Sequence, residues 1–382
     1  LLFSSSIPAA SSNDATTISS STTDSDKPFA YLLVSLVLVD LRSSLHTLLE
    51  QLNSASYPST SGRLASAYDI VSHFVGFLVR SLDDSDQDTP SSNDTLSLSP
   101  SLLLSLRKSL SEMLSATIEH LRDRYDAAVA GAQGLHPSAR LEASASGGGP
   151  RLLTWDTKSS EAGLAGDPFV LAAVRALAIW LREDDGEALR REGAGLVDMF
   201  VEMYSSNGQD FRRPVLVALE GITAAGDEGM EALLSHDGWR VLAEDVLGIL
   251  HLTSSKSGSG QQQKEDAARG VEIVRVLLPI VEAESTGSRE EWMALVTSVA
   301  GWHIPDYDAA TVPALVVEEF WVAVLQLVTA LLANTHDGMR KRYRHSTTAV
   351  IGIATALRQR NLRDDTLKGD LDDVIETLGE MR

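Results

Sequence analysis

One stretch constrains the fold more than any other. Residues 168–182 run Pro-Phe-Val-Leu-Ala-Ala-Val-Arg-Ala-Leu-Ala-Ile-Trp-Leu-Arg, and Arg175 and Arg182 are its only charges. Phe169, Ala172, Ala173, Ala176 and Trp180 fall on one helical stripe, and Val170, Val174, Leu177 and Leu181 on a neighbouring one. A helix apolar on nearly every side has no face for water and must lie between other helices. Asp167-Pro168 in front of it is a start signal: the carboxylate can accept from free first-turn N–H groups, and proline suits the first helical position.

The rest of the chain supplies the layers. Tyr31, Val34, Leu38, Leu41, Leu45 and Leu48 recur at helical spacing, and Leu64, Ala67, Val71, Phe74 and Leu78 predict a second helix over 63–82 after a break at 53–62. Ser99-Pro100 repeats the cap-plus-proline signal and opens a helix reaching Val129. Short helices follow at about 186–204, 211–225, 227–235 and 238–252. After a polar loop, Ser254 to Gln263, come helices near 264–284, 289–301, 312–334, 338–358 and 366–381, and Ser288 to Glu291 fits a capping box. No period-2 alternation is sustained, so the predicted fold is all-α, an armadillo/HEAT-like α-solenoid of stacked antiparallel helices with a loose repeat. The predicted organisation is a disordered Ser/Thr-rich tail over 1–27, N-terminal helical layers over 28–130, a flexible linker or long loop over 131–166, and C-terminal solenoid helices over 167–382.

Charge and composition narrow the function. A formal net charge of −21 argues against a general binder of the phosphate backbone, so no nucleic-acid partner is expected. The absence of cysteine removes disulfides, zinc–thiolate sites and a cysteine nucleophile. The chain starts at Leu1 rather than Met, which reads as a fragment or processed form, and no signal peptide is visible in it. Two apolar runs, Phe29 to Leu41 and Phe320 to Ala333, read as too short for a bilayer of ~30 Å. The expectation is a cytoplasmic protein without an integral membrane segment.

The motifs that carry chemistry are missing or incomplete. Asp84, Asp86 and Asp88 alternate like calcium ligands, but Thr89 stands where the loop needs glycine and Thr95 where it needs glutamate; Asp364 to Ile375 fails through Lys368 and Ile375. The nine histidines include no His-x-x-x-His pair, and no Gly-x-Ser-x-Gly elbow occurs, so no metal, cofactor or catalytic residue is assigned. The glycine runs at 147–149 and 257–260 lack the Gly-Lys-Ser/Thr ending of a phosphate loop and read as linkers, and Asn93-Asp94-Thr95 reads as a chance sequon. Glu183-Asp184-Asp185 reads as a charged turn capping the helix that follows. Gly301 to Tyr307, with Trp302, His303 and Asp306, reads as a helix corner pinned by Trp302 and Tyr307, with a dispersed catalytic site there as the minority reading.

Arg340, Lys341, Arg342, Tyr343 and Arg344, followed by His345, form the one basic cluster of an acidic chain. It is the candidate partner-binding surface, and an acidic or phosphorylated protein segment is its expected ligand.

Four segments resemble the neurochondrin family in its fungal branch: Leu36-Val37-Leu38-Val39-Asp40-Leu41-Arg42; Arg63-Leu64-Ala65-Ser66 with His73 to Leu82; Asp167-Pro168 with Ala176 to Asp185; and Val215 to Ile222. Their order carries the resemblance, which spans about residues 29 to 357. It implies an armadillo-like protein without known catalytic residues. Animal members are linked to neurite outgrowth and to intracellular signalling through protein contacts. For this chain it implies a non-enzymatic scaffold or adaptor whose partners are other proteins. A membrane-trafficking or signalling adaptor with a lipid- or phosphopeptide-binding surface is the alternative.

Overall fold

The computed structural model describes residues 28–83, 98–132, 134, 164–206, 211–254, 260–284, 287–305, 313–360 and 362–381. The tail over 1–27, the Asp84–Asp88 pattern, the sequon, the glycine run at 147–149, Asp306 and Tyr307 lie outside these residues, as does most of 131–166. The described chain is all-α, with no strand among the described residues. It divides into two compact units, Leu1–Gly221 and Ile222–Arg382, and within each unit helices pack on neighbouring helices, as in an all-α solenoid.

The first unit holds α1 (Phe29–Leu48), α2 (Tyr57–Asp83), α3 (Pro100–Val129), α4 (Pro168–Glu183), α5 (Glu187–Ala194), α6 (Val197–Ser205) and most of α7 (Arg212–Thr223). The inward face of α1 carries Val34, Leu38, Leu41, Leu45 and Leu48, the stripe seen in the sequence, and packs on α3 and α2. Both cap-plus-proline signals are used. Ser99 Oγ accepts from the Leu102 amide at 3.4 Å, and Asp167 Oδ1 accepts from the Phe169 amide at 3.1 Å. Helix α4 lies chiefly along α2 and also touches α3. Its residues from Phe169 to Val174 are all buried, and so is Trp180. The sandwiched helix required by the sequence is therefore present. Gly221 completes this packing, because any Cβ there would press on the Leu181 carbonyl.

The second unit holds α8 (Asp227–Ser235), α9 (Gly238–Ser254), α10 (Gly260–Ala283), α11 (Met293–Ala300), α12 (Leu315–Ala333), α13 (Asp337–Arg342), α14 (Arg344–Arg358) and α15 (Asp365–Glu380). Its centre is α12, which packs against α10, α15 and α11. The end of α9 receives two indoles: Trp302 Nε1 donates to Ser254 Oγ at 2.6 Å and Trp321 Nε1 to Thr253 Oγ1 at 3.2 Å. Trp239 and Trp292 stack with centroids 4.4 Å apart.

Several local expectations need correction. Helix α2 starts at Tyr57, so the predicted break shrinks, and Pro58 sits harmlessly in the first turn, where no amide donor is needed. The polar loop after α9 also shrinks, because Gly260 to Gln263 already belong to α10. The capping box at Ser288 does not form. The Ser288 amide donates to the Asn334 carbonyl at 2.8 Å and its hydroxyl to the Leu331 carbonyl at 2.7 Å, so tertiary contacts with the end of α12 take the place of Glu291. Asp184 does not cap α5, whose N-cap is Gly186. It is buried instead against Arg107 of α3, with Nη2 to Oδ1 at 2.9 Å.

The membrane argument from length also changes. The helical stretch Phe29–Gln51 has 23 residues at mean hydropathy 1.6, and Leu315–Ala333 has 19 at 1.9, so both are long and apolar enough to cross a bilayer. The second has 67% of its most apolar stretch inside the protein, as a core helix does, and the first only 28%.

Candidate interaction surfaces

The basic cluster is largely spent on the fold. Arg340 Nη2 donates to the Ala333 and Thr335 carbonyls at 3.2 and 3.1 Å, tying off the end of α12. Arg342 pairs with Glu290 and its guanidinium lies 5.9 Å from the Tyr343 ring. Lys341 and Arg344 are exposed and make no ion pair among the described residues. Five adjacent residues thus reduce to two free cations on the surface.

Tyr307, one of the two residues expected to pin the corner, lies outside the described residues, and the other, Trp302, is held in place. Its indole is buried, 5.6 Å from that of Trp321, and Arg360 donates to the Pro305 carbonyl at 2.6 Å. His303 is exposed, and no described acidic side chain bonds to it. Among the described residues no group of three His, Asp or Glu converges as a metal site.

A buried polar cluster in the first unit escaped the sequence reading. Asp167 accepts from Ser61 Oγ at 2.6 Å, from the Tyr57 hydroxyl and from the Phe169 amide. His120 lies edge-on to Phe169 at 5.4 Å, bonds to the Leu45 backbone and leaves Nε2 without a partner. Burial, assisted by the charge of Arg124, holds its pKa down at about 4, so it is neutral at physiological pH. Burial and then the Asp167 charge push the Tyr57 hydroxyl well above its ordinary range. Serine, histidine and aspartate meet here, but Ser61 gives its proton to Asp167 rather than to an imidazole, and all three are over nine-tenths buried. The cluster therefore joins α2 to the start of α4, and it does not present a nucleophile.

Two apolar surfaces remain open. The outward face of α1 carries Phe29, Leu32, Leu33, Leu36 and Val39, five of the ten large apolar side chains exposed among the described residues. Their exposures reach 78% at Phe29, 68% at Leu36 and 64% at Val39. In the second unit, α10, α12 and the start of α15 enclose a cleft of about 430 Å³. Val271, Val274, Leu278, Val322, Ala323 and Leu367 make its apolar walls. Glu319, Asp364 and Asp370 stand around it with Gln326 and Thr366. Arg275, the one cation lining the cleft among the described residues, lies 3.7 Å from Glu272 and 3.9 Å from Glu319.

Comparison with known proteins bears chiefly on residues 9–278. A family model described as Neurochondrin matches residues 9–278. A Schizosaccharomyces pombe protein described as uncharacterized protein C16C4.02c is 23% identical over 223 residues, covering 57% of this chain and 33% of its own length. The matched region thus spans about a third of that curated relative. An engineered protein of known crystal structure aligns over 92% of this chain and 94% of its own at a TM-score of 0.28 and 12% identity, a likeness too low to bear on the fold.

Proposed function

Because the chain belongs to the neurochondrin family, we propose that it is a non-enzymatic helical scaffold that holds other proteins. The outward face of α1 is the observation that carries this reading. Contiguous exposed apolar surface costs free energy in water and marks a contact site. Residues 29, 32, 33, 36 and 39 follow the i, i+3, i+4, i+7 spacing by which helices pack, so the expected partner element is an apolar helix face.

The test is the double variant Leu36→Glu/Val39→Glu. Both side chains are exposed, so urea unfolding should stay within about 0.5 kcal/mol of the parent. Proximity labelling in cells should lose the partners that the parent labels reproducibly. An unchanged partner set would overturn this use of α1. A bilayer surface is the second reading, favoured by the length and hydropathy of the same helix. Flotation with neutral vesicles separates the two: co-flotation that the double variant abolishes assigns the face to lipid.

Lys341 and Arg344 add a polar contact to the same scaffold reading. As exposed cations they suit an acidic or phosphorylated segment of a partner. Lys341→Ala/Arg344→Ala should leave stability nearly unchanged and weaken binding of a phosphoserine peptide several-fold at low salt, roughly 0.5–1 kcal/mol per exposed charge. Equal binding by the variant would remove these residues from the surface. Cytoplasmic placement belongs to the proposal as well, and cell fractionation of a tagged chain tests it.

A further inference from the structure

We propose that the cleft between α10, α12 and α15 is a docking groove for an amphipathic helix whose apolar face is flanked by lysine or arginine. The proposal concerns a different surface from the outer face of α1 and does not depend on it. Three observations support it.

The first is shape and lining. About 430 Å³ lined by Val274, Leu278, Val322 and Leu367 accommodates a few apolar side chains, but its walls belong to three helices, so the space is a trough rather than a closed chamber. The second is charge. Glu319, Asp364 and Asp370 border the trough, and Arg275 already lies between Glu272 and Glu319. With Arg275 so compensated, the border retains a negative surplus. Lys368, a nearby cation on α15, is bonded to Asp365 at 2.6 Å and its charge also reaches Asp364, so it offsets part of that surplus and leaves Glu319 and Asp370. Asp364 is also fixed: it caps α15 through the Thr366 amide at 2.9 Å, and those hydrogen bonds hold its carboxyl below the ordinary range, so it stays charged. An apolar floor inside an acidic border selects an apolar segment with cations beside it.

The third is the mode of docking. A peptide adds as a strand only where a sheet offers an edge, and the described residues contain no strand. A surface built of helix ridges accepts another helix, anchored at positions i, i+3 or i+4, and i+7.

The experiment uses the whole chain and three synthetic peptides read by fluorescence anisotropy. One is a helical peptide with leucines on one face and lysines on either side of them. The second carries glutamate at every lysine position. The third keeps the lysines but scatters the leucines around the helix. The first should bind about tenfold more tightly than either of the others at low salt, and added salt should narrow the gap to the glutamate peptide.

Two variants locate the site. Ala323→Phe fills the trough and should reduce binding at least tenfold, and Asp370→Lys should reduce it several-fold, with thermal melting showing that each remains folded. Hydrogen exchange with the first peptide bound should slow across 271–278 and 315–326. The proposal is overturned if the scattered-leucine peptide binds equally well, if folded Ala323→Phe binds like the parent, or if protection falls elsewhere. Since Leu36→Glu/Val39→Glu leaves the trough intact, that variant should bind the peptide like the parent. A loss there would assign the peptide to α1 and overturn the groove.

Discussion

Trp180→Ala should lower the stability of the first unit by about 3–5 kcal/mol, the cost of lost transfer energy plus an unfilled cavity. The indole is 2% exposed, on a helix that leaves Pro168, Arg175 and Arg182 as its exposed residues. Collapse around the gap is restricted, because α4 runs between α2 and α3 and Gly221 already lets α7 press against the Leu181 backbone. In a stacked array each layer supports its neighbours, so the loss should spread locally first. Urea unfolding gives the magnitude, and hydrogen exchange should accelerate in α2 and α4 before α1. Arg342→Ala is the control. Arg342 and Glu290 are both well exposed, so the loss there should stay under about 1 kcal/mol. Equal, small losses for the two variants would mean that Trp180 is not enclosed.

Mild acid should destabilise the first unit through His120. In the unfolded chain this imidazole takes a proton below its ordinary pKa of 6.5, whereas in the folded chain burial and then Arg124 delay protonation until about 4, against the opposing pull of Asp167 and the Leu45 hydrogen bond. Between those values the unfolded state binds the extra proton. Stability is therefore full above 6.5, falls as pH drops through the window, and is lost by about 3 kcal/mol once pH passes below 4. At pH 5 the loss is about 2 kcal/mol. His120→Leu removes the titration while keeping an apolar filling of the site. The difference between parent and variant in the change from pH 7 to pH 5 isolates His120 from the carboxylates, which titrate in both. If the two chains lose the same stability over that range, His120 is protonated in the fold.

The sequence disclosed what is local. The stripes of α1 and α2, the caps at Ser99 and Asp167 and the two-sided packing of α4 follow from spacing within one helix, where a residue's neighbours are three or four positions away. What it hid is long-range. Ser288 and Glu291 have the spacing of a capping box, but the partner that Ser288 takes is the end of α12, more than forty residues on. Arg340 and Arg342 look alike in sequence, yet one holds helix carbonyls and the other a surface glutamate. The trough needs Val274, Val322 and Leu367 together, and each of them taken alone is simply a core residue of its helix. The same holds for Ser61, His120 and Asp167, which lie on three elements and carry no common motif.

The hydroxyls of Thr253 and Ser254, which receive the indoles of Trp321 and Trp302, have an optical consequence. Of the six tryptophans, Trp155 and Trp180 belong to the residues of the first unit, and Trp239, Trp292, Trp302 and Trp321 to those of the second. Two of these four share a stacked pair, and the other two are anchored at the last turn of α9. Emission excited at the indole band is thus weighted toward residues 222–382, and circular dichroism samples helices throughout the chain. Titrating denaturant with both detectors gives coincident curves if the two halves melt together, and an emission midpoint displaced from the ellipticity midpoint if they do not. The placement of indoles makes the chain a label-free reporter of its own cooperativity.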